Sequence, residues 1–148
     1  MNKRNQRAFT LFELLVSISI IGILTALGVV SFSGAQKKAR DARRVQDMNL
    51  VQKAAEMYYS LNQYVYPISG NSGEKWQTDS GQTVLESFPT DPKDTDDYVY
   101  SFTPNKPGVG DYCACAYLEA ETGGNANTTD CSAFVNGTGV YYCVKNQQ

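Results

Sequence analysis

Two groups of side chains in this sequence could carry chemistry: a single acid, Glu13, and four cysteines. Glu13 stands at the front of an apolar run, and the nineteen residues that follow it, 14–32, carry no charge. The cysteines all lie in the last third of the chain, at Cys113, Cys115, Cys131 and Cys143. The sequence has no histidine, so the commonest general base and a common metal ligand are missing. We find no catalytic motif and expect a structural protein rather than an enzyme.

The cysteines predict disulfide bonds. An even number of cysteines in a small domain beyond an apolar segment is typical of an oxidising compartment. Cys113 and Cys115 point to the same face of a strand, and a bridge between residues so close together would be strained. Two connectivities stay open, in which Cys143 pairs with one of these two and Cys131 with the other. A four-cysteine zinc site is the alternative, although C-x-C lacks the wider spacing that is typical of such sites.

The apolar run that begins after Glu13 has three interpretations. Its length matches the roughly 30 Å hydrocarbon core of a bilayer, which favours a membrane anchor. A plain anchor does not explain Glu13, because an acid in a membrane costs about 2.5–3.5 kcal/mol at the bilayer centre and less near its edge. A secretory signal peptide fits less well, since its apolar core typically has only about 7–15 residues. The third interpretation is a helix that lies first in a membrane and later in a protein assembly.

The helical pattern continues beyond the apolar run. No proline occurs between Phe9 and Pro67, and past Phe32 the sequence becomes amphipathic. Apolar side chains then recur at steps of three and four residues, as one buried face of a helix requires. These positions are Val45, Met48, Val51, Ala55 and Tyr58, widened by Leu50, Ala54, Met57 and Leu61. The pattern predicts one helix from Phe9 to about Leu61, whose second half packs on a globular domain.

The start of this helix resembles a known family. The stretch "RAFTLFELLVSISIIGIL" joins a short basic leader to a small residue, then Phe, Thr, Leu, Glu and a long apolar helix. In this it is similar to type IV pilins and type II secretion pseudopilins. The resemblance implies that a prepilin peptidase cuts between Ala8 and Phe9 and methylates the new amine of Phe9. It also implies that subunits stack into a homopolymeric filament through their N-terminal helices.

The resemblance suggests a purpose for Glu13. Cleavage leaves Phe9 with a positively charged amine, and methylation preserves that charge. Once subunits leave the bilayer, the amine of one copy can lie beside Glu13 of a neighbour. A low-dielectric surrounding makes unpaired charges costly, so it selects the register that pairs them. We therefore expect Glu13 and the Phe9 amine of a neighbouring subunit to form the charge pair of assembly.

The expected fold class is α+β, a type IV pilin fold with one long N-terminal helix (about 9–61) whose C-terminal half packs on a small antiparallel β-sheet domain. This expected fold divides the chain into four segments. Residues 1–8 are a basic leader that is removed, and residues 9–34 are the transmembrane and filament-core helix. Residues 35–61 are the amphipathic half of the same helix. Residues 62–148 form the globular antiparallel sheet domain with its disulfides.

Within the globular segment, three strands are predicted from β-branched and aromatic content, at 97–103, 112–119 and 139–145. Residues 69–82 are rich in Gly and Ser and predict a loop. Residues 83–88 predict a helical turn, and 120–139 a long loop before the third strand. The strands should form a small antiparallel sheet on the apolar face of the helix.

An acidic stretch at 88–97, "FPTDPKDTDD", has two interpretations. Major pseudopilins, which this chain resembles, bind calcium in the C-terminal domain. The resemblance therefore implies a conceivable calcium site in this stretch. The order of the acids does not follow an EF-hand loop, and solvated turn residues are the simpler interpretation. Apart from this calcium we expect no cofactor. The acids are Asp91, Asp94, Asp96 and Asp97.

A basic cluster follows the apolar run, at Lys37, Lys38, Arg40, Arg43 and Arg44. We interpret it as a solvated helix face that is partly paired with Asp41 and Asp47. It could instead contact acidic surfaces of neighbouring subunits, or DNA phosphates. The charge along the chain changes sign, from +3 over 35–61 to −7 over 62–148.

These observations first predict a type IV pilus pilin, in a filament for adhesion, motility or DNA uptake. The alternatives are a type II secretion pseudopilin and a singly anchored binding domain that never polymerises. The implied partners are further copies of the chain, the prepilin peptidase, the assembly machinery and the inner membrane before assembly, with nucleic acid as a further class. The implied location is the cytoplasmic membrane for a single-pass precursor, then a filament on the cell surface.

Overall fold

The computed structural model describes residues 9–95, 97–105, 111–120, 123–129, 131 and 134–147. The predicted leader, including Ala8, and the acid Asp96 lie outside these residues. The chain divides into two compact units, residues 1–36 and 37–148. Helix α1, Leu11–Leu61, begins in the first unit and ends in the second, which confirms the long N-terminal helix.

The first unit consists, in its described part, of the apolar beginning of α1. Its described large apolar side chains, which lie between Phe9 and Leu27 and at Phe32, are exposed, and they occur on every side of the helix. This helix is long and apolar enough to cross a membrane, as judged by length and composition. Because water does not favour so much exposed apolar surface, the segment needs either lipid or other protein chains around it.

In the second unit, α1 buries one narrow face. The buried positions Asp41, Arg44, Met48, Val51 and Ala55 are three or four residues apart, as one helical stripe requires. The sequence predicted the apolar members of this stripe but not the two charged residues that begin it.

The predicted stripe was too wide. Leu50, Met57 and Leu61 are exposed and lie on the opposite side of α1, whereas Ala54 is buried as predicted. The physical reason is that the β-sheet domain covers only one side of the helix, so apolar side chains on the far side stay in solvent.

The domain that covers α1 contains two antiparallel sheets, one of two strands and one of five. The small sheet pairs β1 with β2, and the larger sheet has the strand order β3-β4-β7-β5-β6. The bounds are β1 Trp76–Gln77, β2 Thr83–Leu85, β3 Ser101–Asn105, β4 Asp111–Tyr117, β5 Gly124–Ala126, β6 Phe134–Gly139 and β7 Tyr141–Lys145.

Aromatic side chains fill the space between α1 and the sheets. Phe102 stacks on Tyr112 with ring centroids 5.5 Å apart, and Trp76 meets Phe102 edge-on at 5.1 Å. Phe88 joins this group from the loop after β2. Burial of these large rings contributes to the hydrophobic stabilisation of this small domain.

Three strand predictions are confirmed in kind, with shifted ends, but two other predictions are wrong. The helical turn expected at 83–88 is strand β2, because residues 83–85 find partners in β1. The loop expected over 120–139 contains β5 and β6.

Glycine normally weakens a strand, yet Gly124 and Gly139 are directly opposite each other in the pair of β5 and β6. A Cβ at either position would collide with the backbone of a neighbouring strand, so close pairing requires glycine here.

Candidate functional site

The beginning of α1 holds Glu13 in a capping box with Thr10. The backbone N–H of Thr10 donates to Oε2 of Glu13 at 3.0 Å, and the Thr10 hydroxyl donates to the same oxygen at 2.9 Å. In return, the backbone N–H of Glu13 contacts the Thr10 hydroxyl oxygen at 3.2 Å. This is the reciprocal arrangement of the T-x-x-E motif. The motif is visible in the sequence as "TLFE", although we did not predict it there.

The capping box leaves one side of the Glu13 carboxylate open. Both donors of Thr10 reach Oε2, and the described part of the chain offers Oε1 no hydrogen-bond donor. The N–H of Thr10 belongs to the peptide bond that follows Phe9, so cleavage before Phe9 would not remove it. Glu13 therefore presents a partly hydrogen-bonded negative group among exposed apolar side chains, where one further cation could bind.

The four cysteines form one cluster on the larger sheet. Cys113 is bonded to Cys131, and Cys115 to Cys143. This is one of the two connectivities that the sequence left open. Cys115 and Cys143 are directly opposite in the register of β4 and β7, which brings their side chains together. The four sulfur atoms lie within 4.8 Å of one another, and because all four are in disulfides, none is free to ligate zinc.

A buried ion cluster centres on Arg44, whose side chain is 0% exposed. Its Nε and Nη2 donate to the two oxygens of Asp91 at 2.6 and 2.8 Å. Its Nη1 donates to Asp41 at 2.7 Å and to Glu119 at 2.9 Å. The paired bonds to Asp91 match the fork of a guanidinium to a carboxylate, which is the strongest geometry for such pairs.

Further contacts extend this Arg44 cluster, which we define as Arg40, Asp41, Arg44, Asp91, Lys93 and Glu119. Asp41 accepts the backbone N–H groups of Glu119 and Ala120, each at 2.9 Å. Arg40 donates to both oxygens of Glu119 at 2.5 and 2.7 Å, and Lys93 lies 3.6 Å from Glu119. The cluster thus fastens α1 to the turn after β4 and to the loop before β3.

These contacts shift the protonation equilibria of the cluster. The hydrogen bonds from Arg40, together with those from Arg44, lower the pKa of Glu119 to about 2 despite burial. Burial alone lowers the pKa of Arg44, but its hydrogen bonds to Asp91, Asp41 and Glu119 raise that pKa above its ordinary value. Glu119 and Arg44 are therefore both charged at neutral pH.

The Arg44 cluster corrects our interpretation of the basic stretch as a solvated face. Lys37 and Lys38 are exposed, and Arg43 approaches Asp47 at 3.8 Å as expected. Arg44, however, is buried, and Arg40 is paired with Glu119. A signal for this was present, because Asp41 and Arg44 continue the three- and four-residue spacing of the buried stripe.

The acids considered for calcium are not gathered around one point. Asp91 is buried, and both of its oxygens accept hydrogen bonds from Arg44. Asp94 and Asp97 are exposed, and Asp96 lies outside the described residues. Among the described acids of this loop, Asp91, Asp94 and Asp97 do not form a group that could hold a metal ion. The described acids of this loop therefore do not fit a calcium site.

Comparisons with known proteins point in one direction. Residues 3–29 match the family model for the prokaryotic N-terminal methylation motif. The chain is 32% identical over 117 residues to the type II secretion system core protein G of Klebsiella michiganensis, an alignment that covers 76% of this chain and 75% of that protein.

Two further relatives carry the same name. The Vibrio cholerae protein is 34% identical over 90 residues, covering 61% of this chain and 55% of that protein. The Pseudomonas aeruginosa protein is 29% identical over 143 residues, covering 88% of this chain and 96% of that protein. No solved structure matches the chain.

Proposed function

This chain belongs to the family of type IV pilins and type II secretion pseudopilins, and we propose that it is a pseudopilin, polymerising through its N-terminal helix into the pseudopilus of a type II secretion system. The extent of the similarity carries this proposal. The methylation motif occupies only residues 3–29, whereas the similarity to a type II secretion system core protein G extends over 117 residues. The similarity therefore includes much of the second unit as well as the methylation motif.

This proposal replaces our first prediction, a type IV pilus pilin for adhesion, motility or DNA uptake. The relatives that the comparisons found support the pseudopilin interpretation better, because their names refer to type II secretion. Both interpretations share a structural, non-enzymatic role and the same route of processing and assembly.

Processing by a prepilin peptidase is the first step that we propose. The peptidase cuts between Ala8 and Phe9 and the new amine of Phe9 is methylated. The match to the methylation motif supports this assignment. Before the cut, the precursor spans the cytoplasmic membrane once, through the apolar beginning of α1. The disulfides support a location of the sheet domain on the oxidising side of that membrane.

Assembly then depends on Glu13. In the separate subunit, the capping box with Thr10 offsets part of the cost of a carboxylate at an apolar helix end. In the filament, the charged Phe9 amine of a neighbouring subunit binds the open side of the carboxylate. A wrong register would leave both charges unpaired in an apolar surrounding, which costs several kcal/mol. The pair therefore sets the axial position of each new subunit.

Replacing Glu13 with Ala tests this step. We expect membrane insertion, cleavage and methylation to proceed, because the peptidase acts on residues before Glu13, and we expect filaments to be lost. Mass spectrometry of the mature N-terminus and electron microscopy of sheared filaments are the two measurements. Glu86→Ala is the matched control, since the Glu86 side chain is 80% exposed in the sheet domain. Filaments of normal length from the Glu13 variant would contradict the proposal.

Deletion of the gene in its native host distinguishes the two kinds of filament. A pseudopilin predicts that exported proteins disappear from the culture medium while long surface fibres stay unchanged. Loss of surface fibres with normal protein export would instead support the type IV pilus interpretation.

A further inference from the structure

Three carboxylates from distant parts of the sequence converge inside the second unit, and a guanidinium lies at their meeting point. Asp41 comes from α1, Asp91 from the loop before β3, and Glu119 from the turn after β4. Arg44 donates hydrogen bonds to all three at 2.6–2.9 Å. Convergent carboxylate oxygens are the ligand set that a hard divalent cation such as Ca²⁺ prefers. Here the cation is a side chain of the protein itself.

The charges of the Arg44 cluster balance without any added ion. Its cations are Arg40, Arg44 and Lys93, and its anions are Asp41, Asp91 and Glu119. The cluster as defined therefore has three positive and three negative groups and no net charge. Adding a divalent cation would leave two uncompensated positive charges beside carboxylates that are almost entirely buried, which is strongly unfavourable.

The cluster also fastens the loop for which the family resemblance implied calcium. Asp91 is the first acid of that loop, and its side chain is 1% exposed. Besides its two bonds from Arg44, Asp91 accepts the backbone N–H of Lys93 at 2.8 Å, which shapes the loop around it. The side chain of Lys93 lies over the ring of Tyr98 at 4.1 Å, and the guanidinium of Arg44 lies 4.7 Å from the same ring.

We propose that the Arg44 guanidinium does in this chain the structural work of a bound calcium ion, so that the second unit folds and keeps its acidic loop in place without any divalent cation. A guanidinium suits this role because it stays charged at all accessible pH values and offers five donors in a fixed fork. Being covalently attached, it does not dissociate when calcium is scarce. The fold of this subunit should thus be insensitive to the calcium concentration of its compartment.

The first test uses the full chain, purified in detergent. Thermal unfolding is followed by circular dichroism in excess calcium chloride and in excess EGTA. We expect the same melting temperature in both solutions, and no calcium retained by the protein after desalting. A melting temperature that rises with calcium, or stoichiometric retention of calcium, would overturn the proposal.

The second test compares Arg44→Gln with Arg43→Gln. Removing Arg44 leaves buried carboxylates without their cation, and we expect the melting temperature to fall by roughly 10 °C or more. Arg43 is the matched control, because its side chain is 64% exposed, and its replacement should change the melting temperature by no more than about 2 °C. Equal effects of the two substitutions would argue against the role of Arg44.

A third variant covers the case in which Arg44→Gln does not fold. Arg44→Lys keeps the positive charge but not the fork that reaches three carboxylates, so we expect a folded protein with a melting temperature clearly below that of the native chain. A melting temperature equal to the native one would overturn the proposal. Because these measurements use unassembled subunits, their outcome is independent of whether the chain forms a pseudopilus.

Discussion

Glu13 and Glu119 show how the same side chain is accommodated in two different surroundings. Glu13 is exposed at the start of α1, where the N–H and the hydroxyl of Thr10 hold one of its oxygens. The Glu119 side chain is 4% exposed and lies between Arg40 and Arg44. The first carboxylate keeps an open side, where we propose that a partner from another subunit binds, whereas the second is fully engaged within its own subunit. The functional difference between them follows from these contacts and not from residue type.

Acid should destabilise the second unit through Glu119. Its pKa in the folded chain, about 2, lies below its ordinary value of 4.5, chiefly because of the hydrogen bonds from Arg40. A group whose pKa is lowered by folding contributes stability above its unfolded pKa and loses that contribution as the pH falls toward the folded pKa. We therefore expect the melting temperature to fall between about pH 5 and pH 2.

Comparing the Glu119→Gln variant with the native chain isolates the loss of stability that comes from protonation of Glu119. The variant should be less stable at pH 7 and should lose less stability than the native chain between pH 5 and pH 2. Glu86→Gln serves as the control and should follow the native pH profile, because its side chain is 80% exposed. Parallel pH profiles of the Glu119 variant and the native chain would rule out Glu119 as the responsible group.

Helix α1 is one element with two different surfaces. Its first part is apolar and exposed on every side, which suits lipid before assembly and other helices afterwards. Its second part buries only the stripe that runs from Asp41 to Ala55. The same helix therefore supports the sheet domain and supplies both the proposed membrane anchor and the proposed filament core. The change from one surface to the other follows directly from the change in composition after Phe32.

The one-sided burial of α1 predicts different effects for neighbouring positions. Met48 is fully buried, whereas Leu50 is 48% exposed. Met48→Ala should lower the free energy of unfolding by about 2–5 kcal/mol, because it removes buried apolar atoms and leaves a cavity. Leu50→Ala should cost no more than about 0.5 kcal/mol. Chemical denaturation of unassembled subunits in detergent measures both, and similar losses at the two positions would contradict the observed burial.

At the scale of the whole molecule, the two units contribute different things to the proposed function. The first carries the apolar surface and Glu13, and the second carries the sheets, the Arg44 cluster and the disulfides. The sheet domain is small, and such domains often need covalent or ionic reinforcement. Here the disulfides connect β4 to the segment before β6 and to β7, while the Arg44 cluster connects α1 to the loops.

Paired serine substitutions test the disulfide connectivity. Replacing both Cys113 and Cys131 removes one bond and should leave no free thiol, at a cost of about 3 kcal/mol in stability. Replacing both Cys115 and Cys143 should give a similar result.

The mismatched pair, Cys113 with Cys143, is the control for this connectivity. It should leave Cys115 and Cys131 without their native partners and cause a larger loss of stability. Free thiols under denaturing conditions and the free energy of unfolding are the measurements. Equal stability of matched and mismatched variants would contradict the observed pairing.

Local signals in the sequence were sufficient for the long helix, for the class of fold and for the N-terminal motif. An uninterrupted helical pattern, a run of uncharged residues and the spacing around Glu13 all act over neighbouring residues, so a linear sequence displays them. The same holds for the strands around Tyr112 and Tyr142, whose β-branched and aromatic content is high. The capping box of Thr10 and Glu13 is equally local, so its T-x-x-E spacing could have been predicted from the sequence.

Tertiary structure alone decided which cysteine pairs with which, that β5 and β6 are strands, and that Arg44 is buried. Each of these depends on contacts between residues far apart in the sequence. Glycine-rich segments become strands only because a neighbouring backbone approaches closely enough to pair with them. An arginine can be buried only where carboxylates from other elements meet it, and Asp91 and Glu119 are 47 and 75 residues away from Arg44. Local sequence propensity does not predict such long-range contacts, because they contribute to stability only after the chain has folded.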